Sequence, residues 1–174
     1  MYCLIPLWIV AGFADWLCHR ASNISENAGA KKSAIHLLML VEVGIPLLAG
    51  LFLEINALVL LIMGLGLAAH EATALWGLHY AHAKRDISPI EQHVHSFQEM
   101  IPMMLFALVC LLNWTQFSAL LTWSDQARFL LEWKRDPLPV AYLAGILSLT
   151  TLFVGAPFVE EFLRTSRKRM RADS

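Results

Sequence analysis

The sequence predicts an all-α integral membrane protein, a helical bundle with about five transmembrane helices. Hydrophobic residues make up 57% of the 174-residue chain and charged residues only 16%, whereas a soluble domain of this size carries about 25% charged residues. The apolar residues also fall in stretches close to the roughly 20 residues that a helix needs to cross a bilayer. The chain is short enough to form a single transmembrane domain over residues 1–174.

Five stretches have the length and composition of membrane spans. Glu54-Ile55-Asn56 is the only polar interruption between the second and third stretches, so these two helices are predicted to form a tight hairpin. The fourth stretch reaches spanning length only if it begins between Pro89 and Gln92. Residues 115–136, rich in tryptophan, predict an interfacial segment along the membrane surface. The predicted spans are 2–19, 34–53, 56–80, 92–113 and 138–160.

The distribution of Lys and Arg predicts the orientation of the chain. Five spans place the 20–33 loop, the 83–90 loop and the basic tail 164–174 on one side of the membrane. That side carries ten Lys and Arg residues, and the other side carries only Arg128, Lys134 and Arg135. Because basic loops stay in the cytoplasm, the N-terminus is expected outside and the C-terminus inside a cell or inner membrane.

Charge and cysteine content exclude several classes of function. The net charge of -1 gives no basic field for nucleic acid. Cys3, Cys18 and Cys110 are far apart in the sequence and form no CxxC motif. The sequence therefore predicts neither a disulfide framework nor a thiolate zinc site.

Histidines and acids are concentrated in the first four predicted helices. All seven histidines lie between His19 and His95, and on the predicted topology most of them fall near cytoplasmic helix ends. Asp15 precedes His19 by four residues, a spacing that puts both on one helix face, and His95 and Glu99 repeat it. The ten candidate metal ligands are Asp15, His19, His36, Glu42, His70, Glu71, His79, His82, His95 and Glu99.

The cost of these side chains inside a membrane points to a metal. An ionisable group at membrane depth costs at least about 2.5–3.5 kcal/mol and indicates a functional site. Carboxylates and imidazoles without thiolates suit iron, manganese or zinc. The carboxylates would be terminal or bridging ligands, and the set is large enough for two ions in the cytoplasmic half of the bundle. Glu160 and Glu161, by contrast, are expected to be solvated or paired with Arg164.

This ligand set resembles the integral-membrane, histidine-rich di-iron class of lipid desaturases and hydroxylases. The resemblance covers Asp15 to Glu99 and concerns residue type and placement. The class motifs HxxxH and HxxHH are absent, the nearest spacings being His79-x-x-His82 and His93-x-His95. The larger number of carboxylates is closer to the soluble ferritin-like di-iron bundles, although their Glu-x-x-His motif is also missing.

The resemblance implies a metal-dependent membrane oxidoreductase with two iron ions. It would use O₂ to hydroxylate or desaturate a membrane lipid or other lipophilic substrate that enters from the bilayer. Its partner would be a cytoplasmic electron donor, and homo-oligomers are possible. The alternatives are a zinc-dependent membrane hydrolase, a b-type haem electron-transfer protein, a metal or proton transporter, and a bundle without catalytic function.

Overall fold

The chain folds almost entirely into helices. The computed structural model describes residues 3–21, 29–82 and 88–172, except the side chains of 29–30, 80–82, 169 and 171–172. In these residues the only strand-like pairing is an isolated bridge between Leu53 and Trp133. A π-helical turn, Thr151–Gly155, joins the last two helices into one continuous rod. The helices are α1 (Leu4–Ala21), α2 (Gly29–Phe52), α3 (Ala57–His82), α4 (Pro89–Leu112), α5 (Trp114–Thr122), α6 (Val140–Thr150) and α7 (Ala156–Ala172).

The predicted all-α class is confirmed, and the described residues include four helices long and apolar enough to cross a membrane. These four are Lys31–Phe52, Ala57–His79, Pro89–Leu112 and Val140–Lys168. Helix α1, with 18 residues, is not among them, because Asp15, His19 and Arg20 in its last two turns lower its mean hydropathy. The five-span topology and the orientation of the chain therefore stay predictions.

The helices pack in pairs around an apolar interior. Helix α2 lies against α3 and α7, and α1 lies against α4 and the π-helical turn. Ile5, Trp8 and Ile101 are buried in the main apolar cluster with Val154 and Phe158 from the last rod. The outer faces are apolar as well, as expected of helices surrounded by lipid rather than water. On α2 this outer face presents Leu38, Val41, Ile45 and Leu48.

The α2–α3 hairpin lies where the sequence predicts it, and a later segment covers it. Asn56 caps α3, because its Oδ1 accepts a hydrogen bond from the backbone N–H of Val59 at 3.2 Å. Its Nδ2 donates to the carbonyl of Leu130 at 2.7 Å. The expected surface helix over 115–136 is shorter than that segment. It ends at Thr122, because Trp123 adopts a left-handed backbone with a φ of 48°.

Lys134 in this covering segment is tied to the hairpin. Its Nζ donates a hydrogen bond of 2.7 Å to the carbonyl of Leu53. Burial lowers the pKa of Lys134, and the neighbouring Glu54 carboxylate opposes that shift. The hairpin end of the bundle is therefore closed by backbone and side-chain hydrogen bonds, and the polar residues discussed below lie toward the other end.

We expect Gly66→Ala to destabilise the protein by about 1–3 kcal/mol, the usual cost of overpacking. A Cβ at Gly66 would meet the ring of Pro46 and lie 2.9 Å from the carbonyl oxygen of Glu42. Gly44→Ala is the matched control, because a Cβ there meets nothing within 4 Å. Thermal unfolding in detergent measures both variants, and equal midpoints would contradict this account of α2–α3 packing.

Candidate metal centre

Two pairs of polar residues face each other where α1 packs against α4. Asp15 and His19 lie one turn apart on α1, and both are almost completely buried. Glu91 and His95 have the same spacing on α4, where Glu91 is buried and His95 partly buried. With side chains from α2 and α7 they form what we call the polar cluster. Its members are Asp15, His19, His36, Glu91, His95 and Glu161.

Four donor atoms of the α1 and α4 pairs form a closed ring in which nitrogen and oxygen alternate. His19 Nε2 lies 3.4 Å from Asp15 Oδ1 and 3.6 Å from Glu91 Oε1. His95 Nε2 lies 3.5 Å from Asp15 Oδ1 and 3.9 Å from Glu91 Oε1. Ligands bound tetrahedrally to one ion at about 2.0–2.1 Å are about 3.4 Å apart. The four separations along this four-atom ring, 3.4–3.9 Å, lie at or somewhat above that value, so binding of one ion would draw the four side chains closer together.

Glu161 on α7 links two histidines of the cluster. Its Oε2 lies 3.2 Å from His19 Nδ1 and its Oε1 lies 3.4 Å from His36 Nδ1. Ser33 Oγ donates a further hydrogen bond of 2.8 Å to Oε1. When each imidazole carries its proton on Nδ1, both donate to Glu161 and both Nε2 lone pairs stay available for a metal. This is the carboxylate–histidine–metal arrangement of many metal sites.

The two histidines held by Glu161 lie almost parallel. The rings of His19 and His36 stack with centroids 4.4 Å apart and planes 5° from parallel. His19 also belongs to two groups of three potential metal ligands. Asp15, His19 and His36 form one group, and His19, Glu91 and His95 form the other, each with ligand atoms within 4.8 Å of one another.

A small cavity of about 40 Å³ adjoins the cluster. Its polar lining consists of Asp15, His36, His70, His95 and Gln98. Within the described residues, Asp15 Oδ1, His36 Nε2 and both ring nitrogens of His70 are buried without a well-formed hydrogen bond. Buried polar atoms are normally paired, and the cavity is large enough for water-sized occupants. The cavity wall therefore carries carboxylate and imidazole groups of the kind that bind metal ions.

The cluster carries more negative than positive charge. Its three carboxylates are buried, and the buried cation beside them is Lys32, which acts electrostatically on two of the histidines. With neutral imidazoles, three negative charges and one positive charge leave two negative charges. Each unpaired buried ion costs on the order of several kcal/mol. One divalent metal ion would neutralise the site, and so would two protonated histidines.

Three of the predicted acids lie outside the four-atom ring. Glu42 bridges α2 and α3 by accepting a hydrogen bond of 2.8 Å from Thr73 Oγ1. The Glu42 carboxylate also acts electrostatically on His70. His70 in turn lines the polar cavity. Glu71 and Glu99 are half-buried and act electrostatically on each other. Glu42 therefore joins α2 to α3, and Glu71 of α3 lies near Glu99 of α4.

Of the two histidines at the end of α3, His79 does not join the polar cluster. His79 is exposed, and its Nδ1 lies 3.0 Å from the carbonyl of Leu75 on its own helix. The side chain of His82 lies outside the described residues. Of the ten predicted ligands, the structure brings four into the cluster and a fifth to the cavity wall. These five are Asp15, His19, His36, His95 and His70.

Two residues of the cluster are missing from the predicted set. Glu91 precedes His95 by the same four residues by which Glu99 follows it, so its spacing was a usable signal. The expectation that Glu161 is solvated or paired with Arg164 is wrong. Glu160 has that role, with its Oε1 3.2 Å from Arg164 Nε, while Glu161 is fully buried. The cluster is thus not built by the first four helices alone, because α7 contributes to it.

No protein-family model, curated protein or solved structure matches this chain. The function is therefore inferred from the polar cluster and its surroundings.

Proposed function

We propose that this protein is a metal-dependent membrane oxidoreductase that acts on a lipophilic substrate. The observation that carries the proposal is the four-atom ring, in which two imidazole nitrogens and two carboxylate oxygens alternate at separations of 3.4–3.9 Å. Two of its members lie on α4, one of the helices long and apolar enough to cross a membrane, and the other two lie on α1, which packs against α4. Its excess negative charge gives a divalent cation a further reason to bind.

The ligand set favours iron or manganese over a hydrolytic zinc ion. Nitrogen and oxygen ligands without thiolates suit all three metals. Four protein ligands would fill the tetrahedral shell of zinc, whereas catalytic zinc sites keep three protein ligands and an open position. A six-coordinate iron or manganese ion would keep positions for an external ligand. When bound, such an ion supplies one-electron redox chemistry that the side chains of this chain lack.

A second ion is part of the proposal. His36 Nε2 is buried without a well-formed hydrogen bond, and His36 and His70 line the cavity together with Asp15, which also belongs to the four-atom ring. Asp15 is therefore placed to be shared by two ions, and the pair would be two irons. Glu161 would hold His19 and His36 with their Nε2 atoms directed away from it. A cytoplasmic electron donor and lateral access for the substrate complete the proposal.

The other functions have less support. The cavity of about 40 Å³ has room for a few water-sized molecules but not for a porphyrin. A proton transporter remains the second candidate, because two protonated histidines would balance the charge of the cluster as well as a metal does. These two candidates differ in metal content and are separated by the same measurement.

The first test is the metal content and absorption spectrum of the purified protein in detergent. We expect about two first-row metal ions per chain, mainly iron, and no Soret band. One zinc ion per chain would replace the oxidoreductase by a zinc protein. Protein without metal, still metal-free after anaerobic incubation with Fe²⁺, would overturn the proposal and favour proton binding.

His95→Ala is expected to remove at least one metal ion per chain, because it deletes one corner of the four-atom ring. His93→Ala is the matched control. His93 lies on the same helix two residues away, is exposed, and has its Nδ1 3.0 Å from the carbonyl of Pro89. Metal analysis of both variants, purified in parallel, checks the prediction. Equal metal content in the two would remove His95 from the site.

A further inference from the structure

Two apolar cavities lie between α1, α2, α3 and α4 beyond the polar cavity. The larger has a volume of about 70 Å³ and the smaller about 40 Å³. Ile5, Pro46, Leu47, Met63 and Leu105 line both of them. The two cavities are therefore separated by little more than the side chains they share.

Two prolines lie beside the larger apolar cavity. Pro46 lies inside α2 and Pro102 inside α4, and both line the larger cavity. A proline inside a helix lacks the N–H for one backbone hydrogen bond, and its ring clashes with the preceding turn, so the helix bends. Each proline therefore removes one backbone hydrogen bond from a helix beside the same cavity.

The apolar cavities continue the polar one along the bundle. Trp8 lines both the polar cavity and the larger apolar cavity, so its ring marks the boundary between them. On α4, His95 faces the polar cavity and Leu105 the apolar ones. Ten helical residues cover about 15 Å. An elongated molecule could thus reach from the polar cluster into the apolar interior.

We propose that the apolar cavities bind the hydrocarbon chain of a lipid, whose more polar portion lies at the polar cavity. The occupant is apolar because cavities with such walls stay dry and accept apolar molecules. It is a chain because the cavities are small and arranged in series. Met63 lines both of them, and its flexible side chain can move to join them. Identification of this lipid as the substrate rests on the proposed function.

The test is photolabelling of the wild-type protein with a diazirine-bearing palmitic acid, followed by mass spectrometry of the adducts. We expect adducts on Met63 and Leu105 inside the bundle, in addition to those on Leu48 and Leu65, whose side chains are exposed on the outer surface. Adducts confined to the outer residues would overturn the proposal.

A filling variant and an enlarging variant sharpen this test. Leu105→Trp should lose the adduct on Met63 and keep those on the outer surface. Leu111→Trp is the matched control, because Leu111 lies on the same helix and is exposed, and it should label like the wild type. Met63→Ala widens the cavities and should increase labelling of Leu105, which keeps the test informative if the tryptophan variant fails to fold. Unchanged interior labelling in both Leu105→Trp and Met63→Ala would contradict the proposal.

Metal analysis of the same samples separates this inference from the proposed function. Interior adducts on a metal-free protein would support the lipid site and overturn the oxidoreductase. Bound metal without interior adducts would overturn the lipid site but would still support the metal centre.

Discussion

His19→Ala is expected to abolish metal binding. His19 belongs to both groups of three potential ligands, and its two ring nitrogens face different partners, Asp15 and Glu91 on one side and Glu161 on the other. The substitution would therefore open the four-atom ring and remove one of the two imidazoles that Glu161 orients. Metal analysis after reconstitution with Fe²⁺ should find no stoichiometric ion.

The matched control for this variant is His79→Ala. His79 is exposed and lies next to a carbonyl of its own helix, so its loss should leave metal content unchanged. His19→Gln, which retains a polar side chain in the buried position, guards against simple misfolding. Fe²⁺ should raise the thermal unfolding temperature of the wild type and of His79→Ala but not that of His19→Gln. Stabilisation of all three by Fe²⁺ would exclude His19 as a ligand.

Glu161→Gln is expected to lower metal affinity by about 10–100-fold, the usual effect of losing the carboxylate that orients a histidine ligand. The carboxylate accepts from both Nδ1 atoms, whereas an amide offers one acceptor oxygen and one NH₂ donor. One of the two imidazoles would then face a donor and move its proton to Nε2, where it blocks the metal. Competition with a chelator measures the affinity.

Glu160→Gln is the matched control for Glu161→Gln. The two acids are adjacent, but Glu160 is half-buried and pairs with Arg20 and Arg164 rather than with the histidines, so its substitution should leave metal affinity unchanged. A purely structural role of Glu161 would lower thermal stability without changing affinity. Electron-spin-echo spectroscopy of the bound metal adds an independent measurement, because Glu161→Gln should reduce the number of coordinated imidazoles. Equal affinity in the two variants would rule out the positioning role.

Local spacing accounts for the parts of the site that the sequence predicts. Asp15 and His19 lie four residues apart, and one helical turn puts them on the same face whatever surrounds the helix. The helix positions follow in the same way from runs of apolar residues. The hairpin at Glu54-Ile55-Asn56 needs only the polar interruption and the N-terminal cap supplied by Asn56.

The choice of acid on α4 depends on tertiary structure. Glu91 and Glu99 both lie one turn from His95, so spacing alone cannot decide which of them shares its site. The packing of α1 against α4 decides it, because Glu91 Oε1 comes within 3.6 Å of His19 Nε2. Glu99 instead lies near Glu71 of α3.

The choice of acid on α7 depends on the π-helical turn. Successive residues of an α-helix are about 100° apart around its axis. In an uninterrupted helix, Glu160 would therefore lie about 40° to one side of the buried Ile146 and Glu161 about 60° to the other side. The turn at Thr151–Gly155 accommodates one extra residue, which rotates Glu160 outward and Glu161 inward. The sequence by itself thus determined the helices and the local pairs along them. Only the tertiary structure decided which faces meet, because helix packing and one π-helical turn set the rotation of each helix about its axis.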